Sequence, residues 1–196
     1  MSERLDGAAL RDWAHAAVGD LITHVDEINR LNVFPVADSD TGTNMLFTMR
    51  AALARVDSDD DGAGDAAAVT RALSAGALHG ARGNSGVILS QILRGIADVT
   101  RSDVDATAFA AALRHAIDLV ITSMGGELVP GTIVSVLQAA AEAAEDAAAS
   151  GDLAAAVTAA ADAAAVALDK TPGQLAVLAD AGVVDSGGRG LLVLLD

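Results

Sequence analysis

Residues 36–45 read VADSDTGTNM. Asp38 and Asp40 stand two apart, hydroxyls follow at Ser39, Thr41 and Thr43, Gly42 and Asn44 complete the set, and an apolar helical pattern begins at once. Carboxylates and amides are hard oxygen donors, which suit magnesium or calcium and suit zinc poorly. Two merely solvated carboxylates would not need Thr41, Thr43 and Asn44 packed around them. The stretch therefore reads as a helix junction that holds metal ions and, through them, the phosphates of a nucleotide. The start of the following helix offers unpaired N–H groups and a positive dipole end to the same anion.

Working outward, the chain reads as helices throughout. Leu10, Trp13, Ala17, Leu21, Val25 and Ile28 form the stripe of an amphipathic first helix that ends near Arg30. Residues 31–42 break that period, with Pro35 and the acid pair opposing helix, and a second helix covers about 43–55. The run DSDDDGAGD (57–65) is a solvated acidic loop, followed by a third helix over about 65–78. HGARGNSG (79–86) leads into a fourth helix that reaches about Asp98. Asp105 caps a fifth helix carrying Phe109, Leu113, Ile117 and Val120. SMGGELVPGT (123–132) is a loop rich in helix breakers before a sixth helix over 133–148. SGD (150–152) separates that helix from an alanine-rich seventh. TPGQ (171–174) predicts the start of an eighth, with a cap residue, a proline at the first helical position and a glutamine at the third. VDSGGRG (184–190) reads as a last loop before LLVLLD.

The expected fold is thus all-α, an antiparallel barrel or bundle of about eight helices. Four junctions, at 32–44, 79–85, 125–132 and 183–190, are rich in Gly, Ser, Thr, Asn or Asp. In an antiparallel bundle alternate junctions share one end, so helix starts there would aim at a common anion. No internal repeat is visible. The apolar ending at Asp196 lacks a closing signal, so residues 1–196 are expected to be one domain of a longer protein.

Composition narrows the classes. Apolar residues make up 52% and aromatics 2%, so the core is built from Ala, Val, Leu and Ile, which favours close-packed helices over sheet. Mean hydropathy is +0.42, yet the most apolar window, 153–168, is mostly alanine and carries Asp162, as a buried helix would. No integral membrane segment is expected, nor does the N-terminus have the form of a signal peptide. There is no cysteine, which fits a cytoplasmic protein. The net charge of −15 repels nucleic-acid backbones and anionic membranes, so no nucleic-acid partner is expected. A phosphate ligand would have to gain its positive charge from divalent cations.

Other chemistries fail on spacing. An EF-hand loop wants glutamate at its twelfth position, where Met49 stands. There is no Walker motif, and GNSG around Ser85 has Val87 where a hydrolase elbow needs glycine. His15, His24, His79 and His115 are scattered and read as ordinary core or surface residues; only His79 adjoins a glycine loop.

LNVFPVADSDTGTNM (31–45), GARGNSGVILSQILRG (80–95), GTI (131–133) and AGVVDSGGRGLL (181–192) together resemble the N-terminal ATP-binding domain of bacterial fatty-acid kinase. That domain is similar to the ADP-binding, DhaL-type subunit of dihydroxyacetone kinase. The resemblance implies a barrel of about eight antiparallel helices with the nucleotide site at one end. It also implies ATP or ADP as ligand and two Mg2+ ions held by Asp38 and Asp40, the catalytic pair, with help from Asn32. Thr41, Gly42, Thr43 and Asn44 would meet the phosphates at the second helix. Gly83, Asn84, Ser85 and Gly86 would line phosphates or ribose, and Thr132 and Asp185 would approach from the remaining loops. The dihydroxyacetone branch resembles L-D-x-x-x-G-D-G-D-H-G, whereas here Asn32 takes the early position and Thr41 that of the histidine. The NVFP run favours the fatty-acid branch. Two departures stand out. Ser39 occupies a glycine position and must accept glycine's backbone angles, straining the metal loop; Pro130 replaces an acidic residue before GTI.

The implied reaction transfers a phosphoryl group from ATP to a fatty-acid carboxylate presented by a fatty-acid-binding carrier protein, giving acyl phosphate. Such transfer needs alignment and charge neutralisation more than covalent help, and an ionised carboxylate acceptor needs no general base. Arg82 or Arg189 would be the protein's own positive contacts. The alternatives are a dihydroxyacetone-type kinase subunit, a nucleotide-binding module inactive without its further domains, or a metal-binding structural protein. A homodimer would form through the longer chain.

Overall fold

The computed structural model describes residues 4–58 and 65–196, so most of the acidic run at 57–65 lies outside the described residues. Nine α-helices are found among them: α1 (Gly7–Leu31), α2 (Thr41–Asp57), α3 (Ala66–Gly80), α4 (Gly83–Val99), α5 (Ala106–Ser123), α6 (Ile133–Ala148), α7 (Leu153–Lys170), α8 (Ala176–Ala181) and α9 (Ser186–Leu195). Helices α1 to α7 pack each against the next, up and down. Helix α9 lies against α1, α2, α6 and α7, closing the barrel between its first and last members. The expected all-α fold is what the structure has.

Among the described residues the amphipathic stripes produce, besides a small core cluster of Ala106, Leu153 and Ala156, two large ones. One gathers Leu21, Ile28, Met45, Met49 and Leu73 from α1 to α3 with Val193 and Leu194 of α9. The other gathers Leu113, Val120, Val134, Leu137 and Leu168 from α5 to α7 with Leu191 of α9. Alanine and glycine set the spacing: a Cβ on Gly95 would lie 2.9 Å from that of Ala116, so α4 and α5 touch almost backbone to backbone. No helix among the described residues is long and apolar enough to cross a membrane.

Three local readings are corrected. TPGQ does not open a helix with Thr171 as cap. Residues Thr171–Gly173 form a single 3-10 turn, and the short α8 begins only at Ala176. VDSGGRG is not a loop, because Ser186–Leu195 is one helix with Asp185 accepting the Gly188 N–H at 2.7 Å. Each glycine there disfavours helix by about 1 kcal/mol, and close packing compensates. A Cβ on Gly188 would stand 2.8 Å from Val136 Cγ2, and one on Gly190 would strike the Met45 sulfur. Lastly, α2 and α4 begin at Thr41 and Gly83, so the residues read as junction loops there are first helical turns.

Candidate functional site

A cavity of about 670 Å³ opens at the end of the barrel where α2, α4, α6 and α9 start, within the usual range for small-molecule sites. Its wall includes polar groups from Asp38, Asp40, Asn44, Asn84 and Thr132 and apolar ones from Phe34, Val36, Val87, Ile88 and Met124. No lysine or arginine lines it among the described residues.

The acid loop is shaped by Asn32. This buried amide donates to the Val36 carbonyl at 3.0 Å and accepts the Asp40 N–H at 3.1 Å, folding residues 32–40 over the cavity mouth. Its side chain thus sets the loop's shape, whatever it gives to a metal. Asp38 is exposed and Asp40 half-buried, and both line the cavity with no ion pair among the described residues. Ser39 between them has φ of 54°, the left-handed region expected from a residue standing where the family pattern has glycine. No group of three or more His, Cys, Asp or Glu side chains among the described residues is placed to hold a metal ion, so the acid pair would need ligand oxygens to complete a coordination shell.

Helix starts face this pair. The caps of α2, α4 and α6 are Asp40, Arg82 and Thr132, and none makes a side-chain cap hydrogen bond. Among the described residues no acceptor takes the N–H groups of Gly83, Asn84 and Ser85. Gly83 has φ of +59° and abuts Asn44, whose amide a Cβ at Gly83 would strike, so α2 and α4 begin side by side. Buried Ser186 donates its hydroxyl to Thr41 at 3.1 Å, tying α9 to α2 across 145 residues of sequence.

Asn32, Asp38, Asp40, Thr41, Asn44, Gly83, Asn84, Ser85, Thr132 and Asp185 all reach the cavity wall. Gly42, Thr43 and Gly86 do not line it. Gly42 presses on α1, where a Cβ would lie 2.6 Å from the Val25 carbonyl oxygen, and Gly86 presses on Thr48. Thr43 is bound to α1: its N–H donates to Asn29 Oδ1 at 3.1 Å, and its hydroxyl accepts from Asn29 Nδ2 at 2.9 Å. The arginines also turn elsewhere. Arg82 lies 4.4 Å over the Phe47 ring, and Arg189 pairs with Glu27 at 2.7 Å, holding that carboxyl below its ordinary range. His79 is exposed and off the cavity.

Asp185 is the buried carboxylate of the site. Burial pushes it up to about 6, against the pull of the Gly188 and Ile133 N–H groups, which favour its charged form. Its own N–H donates to Thr171 Oγ1 at 3.0 Å. Sequence reasoning missed Asn29 and Thr171, because each acts on a partner fourteen residues away and neither stands in a recognisable pattern.

Comparison with known proteins places these features in a group. The family model described as "DAK2 domain" matches residues 35–196. Protein YloV of Bacillus subtilis is 41% identical over 195 residues, covering 98% of this chain and 35% of its own length. An uncharacterized protein of Staphylococcus saprophyticus is 36% identical, covering 99% of this chain and 35% of its own. The chain thus spans about a third of the curated relatives it matches. The crystal structure of the dihydroxyacetone kinase of C. freundii superimposes with a TM-score of 0.72 over 96% of this chain and 33% of that one, at 17% identity. At that identity the likeness is one of fold.

Proposed function

The chain belongs to the DAK2 domain family, and on that premise we propose that residues 1–196 are a phosphotransferase domain of a longer protein. It would bind Mg-ATP and phosphorylate a fatty-acid carboxylate presented by a lipid-binding partner. The observation that carries the reading is the cavity's charge pattern. The free first-turn N–H groups of α4, the starts of α2 and α6 beside it, and two unpaired carboxylates face one space that has no basic side chain on its wall among the described residues.

Phosphates fit the helix starts and cations fit the carboxylates, and neither set alone would hold Mg-ATP. The N–H groups of Gly83, Asn84 and Ser85 would bind phosphate oxygens, while Asp38 and Asp40 would hold Mg2+. When bound, Mg2+ neutralises charge on the phosphate oxygens, which lysine or arginine does elsewhere. Asn32 keeps the two acids at the mouth, and Asn44 and Asn84 would orient the phosphates by hydrogen bonding. The apolar lining residues, such as Phe34, Ile88 and Met124, would help exclude water from the transfer path. An ionised carboxylate acceptor attacks without a general base, consistent with a cavity in which no histidine lines the wall. The docked carrier would supply what this domain lacks, and the longer chain would supply the dimer.

The test has two stages. Melting temperature is measured with ADP, with magnesium and with both. A shift that needs both and vanishes in Asp38→Ala supports the metal-bridged nucleotide; no shift with both overturns it. The whole protein is then given ATP, magnesium and a carrier loaded with fatty acid, and acyl phosphate is trapped as a hydroxamate. Dihydroxyacetone phosphate formed instead, when that triose is offered, would overturn the acyl-acceptor reading while keeping the nucleotide.

A further inference from the structure

We propose that Thr171 and Asp185 are a positioning pair for the cavity: they pin the starts of α6 and α9 to the end of α7, so that the free N–H groups of those helices hold one arrangement. The ligand in this inference is that of the nucleotide reading above; the clamp itself stands on separate geometry.

Thr171 is fully buried and does not line the cavity. Its hydroxyl donates to the Leu168 carbonyl at 2.7 Å and accepts the Asp185 N–H at 3.0 Å, using its one proton and a lone pair. Valine has the same shape and can do neither. Asp185 continues the chain of bonds. Its carboxylate accepts the Gly188 N–H of α9 at 2.7 Å, and the Ile133 N–H at the start of α6 favours its charged form. The three segments are in close contact. Gly131 has φ of +79°, and a Cβ there would lie 2.9 Å from the Thr171 carbonyl oxygen; a Cβ on Gly187 would lie 3.3 Å from that of Ile133. A bulkier residue at Gly131 would lever α6 away from the turn.

Two features assign this knot to the site instead of to general stability. Thr132, Ile133, Asp185, Ser186 and Gly187 all form cavity wall, so a shift of the knot moves the wall. In addition, a carboxylate beside phosphates is repulsive unless its charge is already engaged. The Asp185 carboxylate accepts the Gly188 N–H at 2.7 Å and lies beside the Ile133 N–H, so it shapes the anion site without being a ligand in it. It replaces part of the anion's role at α9 and leaves the first N–H groups of that helix to the ligand.

The experiment compares Thr171→Val, Thr171→Ser and Asp185→Asn in the whole protein. Mg-ADP affinity is measured by titration, together with the melting temperature and amide hydrogen exchange over residues 131–136 and 186–190. Thr171→Val is expected to weaken Mg-ADP binding about tenfold, the loss of one well-made hydrogen bond, and to speed exchange in both segments. Thr171→Ser should restore both, and Asp185→Asn, which keeps a cap but loses the charge, should fall between. A lower melting temperature in Thr171→Val with unchanged affinity and unchanged exchange in the two segments would overturn the clamp. Should the wild-type protein bind no Mg-ADP, the nucleotide reading fails by itself, and the exchange comparison still decides the clamp: unchanged exchange overturns it, faster exchange in both segments supports it.

Discussion

The two ends of the barrel treat their helix starts differently. At the far end α1, α3, α5 and α7 each begin under an aspartate: Asp6, Asp65, Asp105 and Asp152 accept first-turn N–H groups at 2.8 to 3.2 Å. At the cavity end α2, α4 and α6 begin under residues that make no side-chain cap. Both ends share the same helix chemistry and the same need to satisfy four orphan N–H groups. The far end meets that need with the cap residue of each helix, whereas at the cavity end Thr43 N–H turns to Asn29 of α1 and the first N–H groups of α4 keep no acceptor among the described residues. Capping residues at one end therefore act as stability elements, and their absence at the start of α4 is what the proposed anion site rests on. Asp185, at the start of α9, is the exception at the cavity end, and it engages α6 as well as its own helix.

The comparison can be broken or sharpened by mutation. The largest effect is expected from Asp38→Ala: at one hundred times its dissociation constant a ligand stabilises by about 2.7 kcal/mol, and that Mg-ADP-dependent gain in unfolding free energy should disappear. Next is the pH response of Asp185. Its folded-state value of about 6 exceeds the ordinary 3.8, so between those values the native state binds more protons than the unfolded one. Its contribution to stability therefore falls as pH rises through that window, by on the order of 2 kcal/mol. Urea unfolding at pH 4.5 and 7 should show Asp185→Asn gaining on the wild type at the higher pH. Giving the cavity end the far end's device comes third. Arg82→Asp places a carboxylate cap at the start of α4 and should weaken Mg-ADP binding about tenfold, with little loss in melting temperature of the free protein. Removing a far-end cap by Asp105→Ala should cost about 1 kcal/mol and leave Mg-ADP affinity unchanged by titration. The smallest effect is expected from Ser39→Gly, which relieves the left-handed φ and should stabilise by about 0.5 kcal/mol in urea unfolding.

Much of this was legible in residues 1–196 before any coordinates. Stripes such as Leu10 to Ile28 locate helices because helix periodicity is local, and Asp105 reads as a cap because its partner is three residues away. The acid pair stands out because two carboxylates and an asparagine before a helix have few uses. The errors fell where distant packing overrides local preference. SGGRG has poor helix propensity, yet Gly188 and Gly190 fit where Val136 and Met45 leave no room for a side chain, so α9 forms. Thr171 resembles a cap in sequence, but its hydroxyl is taken by Asp185 N–H and Leu168.

The sequence by itself determined the all-α class, the course of the first seven helices and which junctions carry oxygen and glycine. Only the tertiary structure decided which of those residues face one another. Thr41 meets Ser186 across 145 positions, Asn44 meets Gly83, and Gly42, Thr43 and Gly86 turn to neighbouring helices instead of to the cavity. The reason is physical: periodicity fixes which face of a helix is buried, while the rotation of each first turn toward ligand or neighbour is set by the close contacts of small residues with helices far away in the chain.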